Sequence, residues 1–193
     1  MSFGFRSEHP ELVKVINNTN DVLMFAASSN FGATEDPPIR FPARVKHKVI
    51  CVNSSDGRGQ PSDLSTPDDP TRDNFSILGE DVPLGKQGEA GSEEMEYGTG
   101  TSIATPIAAG VAALVLEFAR QEGVHRKVED IEALKTCIGM SAVLRRMTRN
   151  GKKNGFNFIS PNKVLLGDRN KDFSERIGEV CDMISHGIRT RYH

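Results

Sequence analysis

The chain has 193 residues, of which 37% are hydrophobic and only 6% aromatic with no Trp, and its formal net charge is −2. That length suits one domain, or a domain with a short extension, and the core must be built from small aliphatic side chains. The charge balance supplies no global field for nucleic acid or an acidic membrane.

Local features narrow the class further. The basic run Arg145–Lys153 reads as a solvated helix end and turn, since no aromatic residue is interleaved before Phe156. Cys51, Cys137 and Cys181 lie far apart with no CxxC spacing, which argues against a disulfide framework or a zinc site, and no cofactor is identifiable. Free thiols suit a reducing compartment, and the N-terminus shows no basic start followed by a long apolar run, so a cytoplasmic protein is expected. Tyr97–Leu116 is uncharged, but its apolar part, Ile103–Leu116, is shorter than the roughly 20 residues a bilayer requires, so no membrane partner is expected.

In chain order, Met1–Phe5 reads as the end of a strand, and Pro10–Asn17 carries Leu12, Val13, Val15 and Ile16 at helical spacing. Val22–Ala27 is a continuous apolar run, the pattern of a strand buried on both faces of a parallel sheet. A loop over Ser28–Gly32, a proline-bearing surface loop at Pro37, Pro38 and Pro42, and a second apolar run at Val49–Val52 follow. Asp56–Asn74 reads as a long loop, Phe75–Leu84 as a strand with a turn, and Gly85–Glu94 as a polar loop. A long apolar helix is expected over Thr101–Arg120. Beyond it, Val128–Arg149 is helical by period, Asn150-Gly151 and Asn154-Gly155 are turn signals, and Phe173–Ile188 forms a second amphipathic helix. The alternation points to an α/β layered sheet over residues 1–122, with a helical C-terminal extension over residues 123–193.

The chemistry concentrates in Gly98–Gly110, which reads Gly-Thr-Gly-Thr-Ser-Ile-Ala-Thr-Pro-Ile-Ala-Ala-Gly. A helix starting here places Ser102 where backbone N–H groups lack intrahelical acceptors and where the helix dipole is positive. An oxyanion formed by attack of Ser102 on a carbonyl would meet a donor and a favourable field. Gly100 permits a tight approach, and Pro106 is expected in the first turn, where no intrahelical donor is lost. The competing reading is a buried small-residue helix with an incidental serine.

This segment resembles the nucleophile motif G-T-S-x-A-x-P-x-x-A-G of the subtilisin-like serine peptidases. Its seven fixed positions all match, a coincidence of about one in 10⁸ per start position at ordinary residue usage. Ala26-Ala27-Ser28-Ser29-Asn30-Phe31-Gly32 is similar to the family's A-A-G-N-x-G loop, which implies Asn30 as the second oxyanion donor. Ser29 stands where the family has Gly. Met1-Ser2-Phe3-Gly4 is similar to the family's M-S-x-G strand, which implies that Ser2, Phe3 and Gly4 pair with an extended peptide or protein substrate. Together with Ala27 and Ser28 they would wall its primary pocket. Phe41-Pro42-Ala43 with Val49–Val52, and Phe75–Gly79, resemble further stretches of that domain, although the family's A-P-G turn is absent.

The resemblance implies the C-terminal, nucleophile-bearing half of a three-layer parallel-sheet domain. The family's D-x-G strand and H-G-T helix, which carry the Asp and His of the triad, have no counterpart in this sequence. They are expected in a missing N-terminal half, so that this chain alone is inactive. His9, His47, His125, His186 and His193 are all expected in surface or capping roles. The alternative is a catalytically dead peptide-binding module. The G-x-S-x-G elbow of α/β-hydrolases is excluded, because Ala104 occupies the last glycine position.

Overall fold

The structure is a computed structural model, and it describes residues 1–85, 95–148, 154–162 and 170–191. The expected loop at 86–94, the Asn150-Gly151 turn and His193 lie outside them. A parallel sheet in the order β1-β2-β3-β6 organises the chain: β1 is Met24–Ala27, β2 Val49–Ser55, β3 Phe75–Leu78 and β6 Asn157–Phe158. A short antiparallel pair, β4 (Val82–Leu84) with β5 (Glu96–Gly98), stands apart.

The pleat explains the apolar runs. Successive side chains face opposite sides of a strand. Phe25, Ile50 and Val52 therefore join one hydrophobic cluster, while Ala26, Val49 and Cys51 join another. On the second face lie α1 (Pro10–Asn18) and the segment Ile39–Ala43. Pro10 opens that helix at a position whose N–H has no intrahelical partner. The proline-bearing loop is not purely superficial, as its spacing suggested. Ile39, Phe41, Pro42 and Ala43 are buried, because the second face of β1 and β2 needs a cover that α1 alone does not provide.

The first face is covered by α2 (Thr101–Arg120), which packs on β1, β2 and β3. Ala104, Ala108, Val111, Ala112, Val115 and Ala119 are its buried stripe, and the alanines bring its backbone close to the sheet. By length and composition alone α2 is apolar enough to cross a bilayer.

After the short α3 (Glu122–His125), one continuous helix is not formed over Val128–Arg149. A 3₁₀ turn at Ile131–Lys135 ends at an extended Thr136, whose hydroxyl accepts the Gly139 N–H at 3.0 Å. This N-cap starts a separate helix, α4 (Cys137–Arg146). Arg145 then pairs with Asp73 at 2.6 Å, tying α4 to the loop before β3. The last helix, α5 (Phe173–Arg189), begins with a reciprocal capping box between Asp172 and Glu175. It packs on α4, burying Val180, Ile184 and Ile188 beside Val143 and Leu144, each worth about 1.5–3 kcal/mol. These residues share one cluster with β1, β2, β3 and α2. The packing is therefore continuous across position 122, and β6 adds a strand to the sheet from beyond it.

Candidate active site

The C-terminal ends of the parallel strands converge on the turn before α2. The Gly100 N–H donates to Gly79 O at 2.8 Å, and Gly79 N–H in turn donates to Ser55 O at 3.0 Å. Gly100 has φ 139°, a conformation that favours glycine, and a Cβ there would lie 2.8 Å from Asn30 Nδ2. The Asn30 amide therefore lies against the backbone that delivers Ser102.

Its orientation is fixed chemically. Asn30 Oδ1 accepts both the Thr101 N–H and the Thr101 hydroxyl, each at 2.8 Å. A backbone N–H can only donate, so the carbonyl end of the amide must face Thr101 and the NH₂ end faces elsewhere. Thr101 is itself held in place as its carbonyl accepts Thr105 Oγ1 at 2.7 Å. Among the described residues, neither Asn30 Nδ2 nor the Ser102 N–H has an acceptor, and the Ser102 hydroxyl makes no hydrogen bond. Ser102 is half-buried, and stabilisation of an oxyanion requires donors left unspent in this way.

Beneath the Asn30 loop lies a buried polar cluster that the sequence reading did not single out. Asn53, 1% exposed, sits inside β2. Its Oδ1 accepts Ser28 Oγ at 2.7 Å and Thr66 Oγ1 at 3.1 Å, and its Nδ2 donates to Phe75 O at 3.2 Å. A buried amide is costly unless satisfied, and here both ends are. The signal was present as Asn53-Ser54-Ser55, polar residues following the apolar run Val49–Val52. Ser29 forms a local turn of its own: its hydroxyl accepts the Phe31 N–H at 3.2 Å.

The first residues approach the same place. Met1 is hydrogen-bonded to the open edge of β1, with its amino group on Phe25 O at 2.5 Å and its carbonyl accepting Ala27 N–H at 3.0 Å. Phe5 pairs with Phe41 through two backbone hydrogen bonds instead of continuing along β1. Between them, Ser2 Oγ donates to the Ser102 carbonyl at 3.0 Å. Pro106 explains why that carbonyl is available. The helix begins at Thr101, so Pro106 is not in its first turn but inside it. A residue there would ordinarily donate to the carbonyl four positions back, which is that of Ser102, and proline has no N–H to give.

The described histidines, His9, His47, His125 and His186, do not reach this centre. His9 packs edge-on against Phe5, with ring centroids 4.5 Å apart. His47 lines a cleft of about 550 Å³ with Cys51 and Arg72, at the end where β2 begins; the site lies at the other end, roughly 20 Å along the strand. His125 belongs to α3 and His186 to α5. Among the described residues no histidine hydrogen-bonds Ser102.

The model of the subtilase family matches residues 1–160, and the chain belongs to that family. The curated subtilisin-like protease het-Q2 of Podospora anserina is 33% identical over 132 residues, covering 65% of this chain and 35% of that protein. Among solved structures, a mutant of the protease domain of PatA superposes with a TM-score of 0.61 at 20% identity, covering 96% of this chain and 57% of that one. The PatG macrocyclase domain gives 0.63 at 22%, covering 86% and 51%. These likenesses show the shared α/β fold. The chain spans about a third of the length of that curated relative and about half of these solved domains.

Proposed function

We propose that this chain is the nucleophile-bearing part of a serine endopeptidase. In that reading Ser102 attacks the substrate carbonyl, and the tetrahedral oxyanion is stabilised by the Ser102 N–H and the Asn30 amide. The substrate lies extended along Ser2, Phe3 and Gly4, with Ala27 and Ser28 forming the facing wall of the primary pocket. The His that takes the Ser102 proton, and the Asp that orients it, come from sequence outside this chain. The observation that carries the reading is the locked Asn30 carboxamide, whose carbonyl is held by Thr101 and whose NH₂ is left unspent.

A second reading draws support from the Ser102 hydroxyl, which meets no base among the described residues: a peptide-binding module without turnover. A fluorophosphonate probe separates the two, because it labels only an activated serine. Labelling that disappears in Ser102→Ala supports the peptidase. A folded, unlabelled polypeptide that still binds extended peptides supports the binding module.

A further inference from the structure

Arg40 lies between the two segments read above as the walls of the substrate pocket. Its backbone N–H donates to Ser28 O at 2.9 Å, on one wall. Its Nη1 donates to Gly4 O at 3.3 Å, on the other, and a Cβ on Gly4 would fall 2.6 Å from Arg40 Cβ. The next residue, Phe41, is bound on both its N–H and its carbonyl to Phe5. The guanidinium lies 4.4 Å over the ring of Phe31, the residue after Asn30. Arg40 thus joins the two segments through its backbone and its side chain.

Its partner is Glu35. Arg40 Nε donates to Glu35 Oε2 at 2.9 Å and Nη2 to Oε1 at 2.7 Å. Arg6 adds Nη2 at 2.9 Å and Nε at 3.2 Å, both to Oε1, and Ser29 Oγ lies at 3.5 Å from Oε2. The acceptor capacity of this group is therefore taken. The donor capacity is not. A guanidinium has five N–H groups, and Arg40 uses three of them on Glu35 and Gly4. Among the described residues the other two have no partner. Two guanidiniums against one carboxylate also leave a net positive charge.

We propose that Arg40, held by Glu35, floors the primary specificity pocket and selects a peptide with an acidic side chain at the residue preceding the cleaved bond. This rests on the peptide-cleft reading above. A carboxylate is the group that matches a planar guanidinium with donors to spare, and a lysine or arginine side chain meets like charge and a saturated acceptor.

The test measures binding, so it does not depend on turnover. The natural polypeptide that carries this chain is titrated with fluorescent peptides of the form Ala-Ala-Xaa-amide, with Xaa Glu, Gln or Lys, and binding is followed by anisotropy. Glu is expected to bind about fivefold or more tightly than Gln, as for a charge pair that is partly exposed, with Lys weakest. In Arg40→Met the Glu and Gln peptides become equal. Equal affinities in the unmodified chain, or Lys equal to or better than Glu, overturn acid selection while leaving the cleft intact. Failure of every peptide to bind overturns the cleft reading and this inference with it. The ranking in the unmodified chain decides the matter even if Arg40→Met does not fold.

Discussion

Ser2 and Ser102 are 100 positions apart in sequence, yet the Ser2 hydroxyl donates to the Ser102 carbonyl at 3.0 Å. That carbonyl is open because Pro106 has no N–H. The contact ties the segment expected to pair with substrate to the backbone of Ser102, the proposed nucleophile. Removing the donor takes from that carbonyl its hydrogen bond to Ser2. Ser2→Ala should lower stability by about 0.5–1.5 kcal/mol, measured by urea unfolding. In a Pro106→Ala background the helix supplies its own N–H, so the same Ser2→Ala change should cost less. An equal cost in both backgrounds would show that the two residues are not coupled.

Asn53 makes a second prediction. All three of its hydrogen bonds are buried, and two hold the loops carrying Ser28 and Thr66. Asn53→Ala strands those hydroxyls and removes one donor from the Phe75 carbonyl, and should destabilise the chain by about 1–3 kcal/mol. Asn53→Asp should be at least as harmful, since a carboxylate cannot donate to Phe75 O. A neutral Asn53→Ala in chemical unfolding would refute the role given to this cluster.

Glu35 gives the pH dependence. Its carboxyl is lowered from 4.5 to about 2, first by hydrogen bonding to Arg40, against an opposing effect of burial, and then by Arg6. A carboxylate with a depressed folded pKa contributes stability fully above its unfolded value and loses it as pH falls through the folded value. The contribution is thus complete above about pH 4.5 and disappears toward pH 2. Glu35→Gln should flatten the fall of melting temperature across that window, and an unchanged slope would count against the Arg40–Glu35 pair.

The buried thiol of Cys51 is pushed up to about 11 by desolvation. Burial also raises Cys137 and Cys181. Since the thiolate is the reactive form, Cys51 should resist iodoacetamide at pH 8 in the native chain and react once the chain is unfolded. Rapid native labelling at Cys51 would mean that β2 is more accessible than its burial implies.

What the sequence disclosed depended on whether the signal was local. Val49–Val52 and Thr101–Arg120 were readable because burial of a whole strand, or of one helical stripe, leaves a contiguous pattern. The start of α4 was misjudged because Thr136 acts through its hydroxyl on Gly139 and not through apolar period. Ser102 and Asn30 stood out through motif spacing. Thr101 stood in that motif too, but its hold on Asn30 appears only in the fold. Asn53, Arg40 and Glu35 lay outside it, and each matters through a partner that only the fold supplies: Ser28 for Asn53, and each other for the last two. The role of Pro106 was misplaced for the same reason, as its consequence appears only where Ser2 arrives.

The most direct test of the account is peptide hydrolysis by the natural polypeptide that carries this chain, compared with its Ser102→Ala and Asn30→Ala variants. The account predicts turnover that falls to background in Ser102→Ala. It predicts a drop of about 10²–10³ in kcat, with little change in KM, in Asn30→Ala, as for loss of one oxyanion donor in subtilisin. Undiminished hydrolysis by Ser102→Ala would contradict it.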